Sequence, residues 1–178
     1  MSRLFESSKI AKVYVRYRPS PPERVRKLAL DYLRSVGGVP DDRGKFQCLV
    51  DVGCGSGQAT KIFAENFETA IGVDPSGNQI REARESNSLE NVDFRVGGAE
   101  NVPVEDGSAD MVIVAQAVHW FDIEKFCCEC KRILKPGSGC LVAFGYLTPE
   151  VVRVGFENDS ELKMKSCRAT RKFVESCR

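Results

Sequence analysis

One histidine and one tryptophan stand in 178 residues, and no stretch approaches the ~20 consecutive apolar residues that a membrane-spanning helix needs. Neither sign of charge is in excess. Lysine and arginine number 26 against 25 acidic residues, a net +1, so no global field favours nucleic acid or an anionic membrane. The stretch from Ser160 to Arg178 is a local exception at +4, leaving −3 for the remainder. The opening Met1-Ser2-Arg3-Leu4-Phe5-Glu6 has neither the apolar core of a secretory signal nor a cleavable transit pattern, so a cytoplasmic residence is the default expectation. A single histidine also leaves Cys127, Cys128 and Cys130 without a second ligand pair, and no metal is expected. Of the eight cysteines, Cys48 and Cys140 fall inside expected core strands and Cys54 inside a glycine loop, which suits reduced thiols better than a disulfide framework.

What the chain does have is one dense stretch, Leu49-Val50-Asp51-Val52-Gly53-Cys54-Gly55-Ser56-Gly57-Gln58-Ala59-Thr60. A run of β-formers ends in three alternating glycines, and a helical pattern opens at Gln58 with Ala59, Ile62, Phe63 and Phe67 on one face. Strand, tight loop and helix in that order make a cradle. The glycines permit positive φ and close approach of a small molecule to the backbone, and N–H groups of the new helix's first turn point at it.

Around this stretch the chain alternates between strands and helices, the signature of a parallel sheet covered on both faces. Leu4 to Arg18 reads as a loose helix. Ser20-Pro21-Pro22-Glu23 reads as a capping box for a helix carrying Val25, Leu28, Ala29 and Tyr32, stopped by Gly37-Gly38. Strands are expected at Gln47–Val52, Ala70–Asp74, Val92–Val96, Met111–Ala115 and Cys140–Phe144. The third should lie near an edge, because only every second residue is apolar, and the fourth should be central and covered on both sides. Helices are expected at 58–67, from Ser76 to about Ser86, and after the cap Asp122, where Ile123, Phe126, Cys127, Cys130 and Leu134 form the buried stripe and Lys131, Arg132 and Lys135 face the negative end. Beyond Gly145-Tyr146 the alternation stops. Residues 1–40 read as an N-terminal helical cap, 41–147 as the Rossmann-like α/β domain and 148–178 as a short basic tail.

In open α/β sheets ligands bind beyond the carboxyl ends of the strands where strand order reverses. Gly53, Gly55 and Gly57 follow the first strand, and Asp74 closes the second, 17 positions after Gly57. A carboxylate there can accept both hydroxyls of a ribose, a reading that outweighs a capping role because Ser76 already supplies a cap. A nicotinamide dinucleotide is disfavoured by spacing: that fingerprint is GxGxxG, whereas here the glycines alternate and Asp51 stands two residues before the first.

The run from Val50 to Gly57, together with Tyr17-Arg18-Pro19-Ser20, Gly72-Val73-Asp74, Gly98-Ala99-Glu100-Asn101-Val102-Pro103, Gln116-Ala117-Val118-His119-Trp120-Phe121 and Leu134-Lys135-Pro136-Gly137, resembles the class I S-adenosylmethionine-dependent methyltransferases of the type 11 group. The particular resemblance is to the small-molecule subgroup around trans-aconitate methyltransferase, over roughly residues 5 to 147. It implies a Rossmann-like doubly wound, mostly parallel sheet of five or six strands. It also implies S-adenosylmethionine as cofactor and a small-molecule methyl acceptor, with a carboxylate or other oxygen favoured; the balanced charge and the lack of a long apolar run leave neither nucleic acid nor membrane as an expected partner.

The same resemblance implies that Gly53, Gly55 and Gly57, with Asp51, hold the amino-acid end of the cofactor and Asp74 its ribose. Ala99 and Glu100 would lie against the adenine, and Gln116 and Ala117 would line the floor beside the sulfonium. Many relatives carry an aspartate where this chain has Gly98, so adenine recognition falls to backbone groups or to Glu100, which could equally be a solvated loop residue. Tyr17 and Arg18 would fold over the site and meet the cofactor's carboxylate; the plain alternative is a solvated basic segment. His119, Trp120 and Tyr146 would line the acceptor side. A sulfonium carries its own strong leaving group, so positioning by His119 is favoured over general-base catalysis.

The family fold continues past the fifth strand with a substrate-covering segment and two further strands, the last antiparallel, whereas 32 residues follow Tyr146 here. Val151–Val154 could supply one short strand. The expectation is therefore a sheet without the C-terminal antiparallel pair, an exposed fifth-strand edge prone to self-association, and an acceptor pocket short of a wall. A non-catalytic cofactor-binding or interaction protein, or an inactive shortened form, is the rival reading.

Overall fold

The computed structural model describes residues 21–145. Within them the elements run α1 (Glu23–Ser35), β1 (Phe46–Val52), α2 (Gln58–Ala64), β2 (Phe67–Asp74), α3 (Gly77–Glu85), β3 (Val92–Val96), β4 (Met111–Ala115), a 3-10 turn (Val118–Trp120), α4 (Ile123–Ile133) and β5 (Cys140–Phe144). The five strands form one sheet in the order β3-β2-β1-β4-β5, and every pairing between neighbours is parallel. This is the Rossmann-like doubly wound arrangement that the alternation implied. β3 lies at an edge, and β4 is central with all five residues buried.

Alternation of side chains along each strand builds two cores from one sheet. Leu49 of β1 and Met111, Ile113 and Ala115 of β4 face one side, where α1 supplies Ala29, Leu30 and Leu33 and α2 supplies Ala59, Phe63 and Ala64. Val50 and Val52, with Val112 and Val114, face the other, where Phe126, Cys130 and Ile133 of α4 cover them. α3 closes over the β3 end, its Ile80 and Ala83 packing with Phe94 and Cys54. Each fully buried aromatic or aliphatic side chain contributes about 1.5 to 3 kcal/mol.

Several boundaries differ from the sequence expectations. Phe67 opens β2 and does not close α2, so the helix expected over 58–67 ends at Ala64. The Asn66 carbonyl accepts from Phe46 N–H, Phe46 and Phe67 stand in register with ring centroids 5.6 Å apart, and this pairing overrides a helical spacing that Phe67 also satisfies. In α1 the buried residues are Ala29, Leu30 and Leu33, while Leu28 and Tyr32 of the expected stripe are 59% and 53% exposed. The helix ends with Gly38 N–H bonded to Leu33 O, and a Cβ on Gly38 would sit 2.7 Å from the Leu33 side chain, so this stop needs glycine at position 38. Its N-cap is Pro22 and makes no side-chain cap bond, in place of the expected capping box; Ser20 lies outside the described residues. In α4 it is Ile133 that is fully buried, with Leu134 only partly so.

Cys48, Cys54, Cys128, Cys130 and Cys140 are free thiols, whereas Cys127 is disulfide-bonded, a departure from the expectation of reduced cysteine at that position. Burial pushes the Cys48 thiol up to about 11 and those of Cys130 and Cys140 up to about 12, so these three are inert core residues at neutral pH. No helix among the described residues is long and apolar enough to cross a membrane, and no group of three metal-ligating side chains occurs among them. The expected loose helix over 4–18, the strand at 151–154 and the basic tail lie outside the described residues.

Candidate functional site

Strand order reverses between β1 and β4: β2 and β3 follow on one side, β5 on the other. The loops leaving the carboxyl ends of β1, β2, β3 and β4 therefore meet at one rim, the expected position for a ligand in this class of sheet.

The β1 loop is held in a single shape. Gly53, Gly55 and Gly57 have φ of +74°, +55° and +81°, a region that residues with a Cβ enter at a cost. Gly53 N–H and Cys54 N–H both donate to Val73 O on β2, at 2.8 and 3.1 Å, and Gly57 N–H donates to Cys54 O at 3.0 Å. Two of these glycines are needed for a second reason. A Cβ on Gly57 would lie 2.4 Å from the Phe94 ring, and one on Gly53 would lie 2.5 Å from Ala117 Cβ and 3.2 Å from the Phe121 ring. The β1 loop is thus packed against β3 on one flank and against the β4 loop on the other.

Asp51, grouped with the loop in the sequence, is completely buried, and its Oδ2 accepts from Thr60 Oγ1 at 2.6 Å. It ties the end of β1 to the first turn of α2. Thr60, also fully buried, went unnoticed in the sequence because a threonine two residues into a helix carries no signal of its own. Cys54 is held well above the usual thiol range by burial first and by the neighbouring Asp51 and Asp74 charges next.

Asp74 ends β2 half-buried at the rim. Its Oδ2 accepts from Gly55 N–H at 3.0 Å and its Oδ1 from Ser76 N–H at 2.9 Å. The carboxylate is therefore oriented by both the glycine loop and the start of α3, while the capping of α3 falls to Ser76 Oγ, which accepts from Gln79 N–H at 3.4 Å. Asp74 O also accepts from Gly97 N–H at 3.1 Å, which draws in the β3 loop. There Ala99 is buried, and the Glu100 Oε1 accepts from Asp122 N–H at 3.1 Å, a bond across to the cap of α4.

After β4, Gln116 has φ +60°, the positive-φ residue other than glycine among the described residues, and its N–H donates to Phe144 O at 3.0 Å. Ala117 is buried beneath Gly53. Strained non-glycine backbone of this kind clusters at ligand sites. The next turn presents His119 and Trp120 outward, ring centroids 4.9 Å apart, with Trp120 51% exposed. Phe121 anchors that turn, its ring 4.9 Å from Phe126. Gly53, Gly55, Gly57, Asp74, Ala99, Glu100, Gln116 and Ala117 are thus brought to one rim, with His119 and Trp120 beside it. Asp51 sits beneath the rim. Tyr17, Arg18 and Tyr146 lie outside the described residues.

The sequence reading also passed over Glu129. It is 9% exposed on the inner face of α4, and its Oε1 accepts from Val102 N–H at 2.6 Å. An acid on an apolar stripe with Arg132 three residues on was the available signal. Lys131 and Arg132 lie in the last turn of α4, as expected, and Arg132 and Lys135 have specific partners as well. Arg132 pairs with Glu129 and Asp106, and Lys135 Nζ lies 2.7 Å from Asp110 Oδ1, whose other oxygen accepts from Gln47 and Cys48 N–H at the far end of β1.

Residues 50–142 match the family described as Methyltransferase domain, and the chain belongs to that family. A Dictyostelium discoideum protein provisionally named a methyltransferase is 36% identical over 118 residues, 66% of this chain and 42% of its own length. The Saccharomyces cerevisiae protein named a probable S-adenosylmethionine-dependent methyltransferase, CRG1, is 34% identical over 116 residues, 62% of this chain and 39% of its own. A solved structure from Anaeromyxobacter dehalogenans, provisionally described as a type II methyltransferase, superposes with a TM-score of 0.59 at 35% identity, covering 86% of this chain and 56% of that one. The chain spans about two fifths of the curated relatives it matches.

Proposed function

We propose that the rim binds S-adenosylmethionine and that the chain transfers its methyl group to a small-molecule acceptor, at a carboxylate or other oxygen. The observation that carries this reading is the convergence of the loops after β1, β2 and β4 where strand order reverses, with Asp74 fixed at the end of β2 by Gly55 and Ser76. The donor set suits the cofactor: a half-buried carboxylate for the ribose, a glycine loop beside it for the amino-acid end, and buried Ala99 one strand over for the flat face of the adenine.

When bound, the cofactor supplies a methyl group on a sulfonium, an electrophile with its leaving group built in. The chain's residues then have three tasks. The glycine loop and Asp74 fix the donor; Gln116 and Ala117 set the floor; His119 and Trp120 form a wall that orients the acceptor's oxygen in line and keeps water out. A carboxylate acceptor needs no base, so His119 acts by position. Tyr17 and Arg18 on the donor side and Tyr146 on the acceptor side complete this assignment from the sequence alone.

Incubation with methyl-labelled cofactor and a panel of small carboxylic acids, alcohols and amines tests the reading. The expected product is a base-labile labelled ester or a labelled ether. Binding of cofactor without transfer to any acceptor, or label confined to amines, contradicts it.

A further inference from the structure

The segment between β3 and β4 has few hydrogen bonds of its own. Asn101 N–H reaches Gly98 O at 3.4 Å and Val104 N–H reaches Val102 O at 2.8 Å; Arg95 of β3 donates to Pro103 O at 2.7 Å, and α4 supplies a larger set of contacts. Glu129 Oε1 accepts from Val102 N–H. Arg132 lies alongside, its Nε 2.9 Å from Glu129 Oε2 and its Nη2 2.6 Å from Glu129 Oε1. The same guanidinium donates to Val102 O and to Val104 O, each at 2.9 Å, and pairs with Asp106. One planar fork thus meets two carboxylates and two loop carbonyls that flank Pro103, a geometry that an ammonium cannot reproduce. At the other end of the loop Glu100 bonds Asp122 N–H at the cap of the same helix.

β3 is the neighbour of β2. With a ribose on Asp74, the base attached to it falls over the end of β3, on Gly98–Val102. We propose that Glu129 and Arg132 are positioning residues that set the shape of this loop and thereby the affinity and selectivity for the adenine of the cofactor. Neither touches the cofactor. They act through Val102, which shares a buried cluster with Ala99 three residues earlier in the loop. The inference rests on the cofactor reading above.

The test uses Glu129→Gln, which is near-isosteric, and Arg132→Lys, which keeps the charge but loses the planar fork, in the full chain, with calorimetric titration by S-adenosylhomocysteine and by S-inosylhomocysteine, whose base carries an oxo group in place of the adenine amino group and a proton on N1. The folded variants are expected to bind S-adenosylhomocysteine about tenfold more weakly, with a smaller loss for the inosine analogue, so that preference for adenine falls. A purely structural role would weaken both ligands by one factor or neither, and that result overturns the proposal while leaving the cofactor reading intact. Wild-type chain that binds neither ligand overturns both. Amide hydrogen exchange on the wild-type protein gives a second readout free of substitution. Added S-adenosylhomocysteine is expected to slow exchange across residues 98–104, and binding without that slowing overturns the proposal.

Discussion

Gly57 carries a backbone requirement and a packing requirement together. Its φ of +81° is where a Cβ costs about 1 to 2 kcal/mol, and the Cβ would lie 2.4 Å from the Phe94 ring. Adding overpacking of about 1 to 3 kcal/mol, Gly57→Ala is expected to destabilise the fold by about 2 to 5 kcal/mol, read as a lowered urea midpoint. A midpoint shift corresponding to under about 0.5 kcal/mol would contradict the geometry. The three glycines were legible in the sequence because positive φ is a local property. Their tertiary reason was not, since Phe94 is 37 residues away and nothing local links it to the loop. Asp51 shows the reverse. Its place two residues before Gly53 marked it as a member of the site, but its complete burial against Thr60 gives it a supporting role beneath the ligand surface.

α4 illustrates what periodicity carries at the scale of an element. Phe126, Cys127 and Cys130 were legible as its inner face and Asp122 as its cap. Glu129 was not, because a helical stripe is read from apolar residues, and its one local signal, the spacing from Arg132, does not tell a buried acid from a surface pair. Its carboxyl is held below its usual value of 4.5 mainly by the Arg132 hydrogen bonds, opposed by burial and helped by the Val102 N–H. A depressed acid stabilises the fold in its ionised form. That contribution is complete above about pH 4.5 and is lost as pH falls through the lower folded value. The difference in urea midpoint between wild type and Glu129→Gln is therefore expected to be largest near neutrality and to shrink below pH 4.5. A difference constant with pH would place the stabilisation in packing and not in the charge. The ends of α1 and α2 show the limits of the same reading. Phe67 fits a helical stripe and a strand equally well, and the partner that decides, Phe46, comes 21 residues earlier.

The whole molecule is a parallel sheet whose connections alternate between two covered faces, and this much followed from the sequence, because a strand apolar throughout has to be covered twice. The order β3-β2-β1-β4-β5 did not follow from periodicity, since each strand could pair with several neighbours on local grounds alone. The resemblance of the glycine loop, Asp74 and the residues after β4 to a methyltransferase supplied the class, and the match over residues 50–142 bears it out. The central claim is that these separated residues make one cofactor site. Calorimetric titration of the full chain with S-adenosylhomocysteine tests it most directly. The account predicts binding at a single site, weakened about tenfold or more by Asp74→Ala through loss of hydrogen bonds to a charged group. A folded chain that takes up no ligand, or an Asp74→Ala variant that binds as tightly as the wild type, would contradict it.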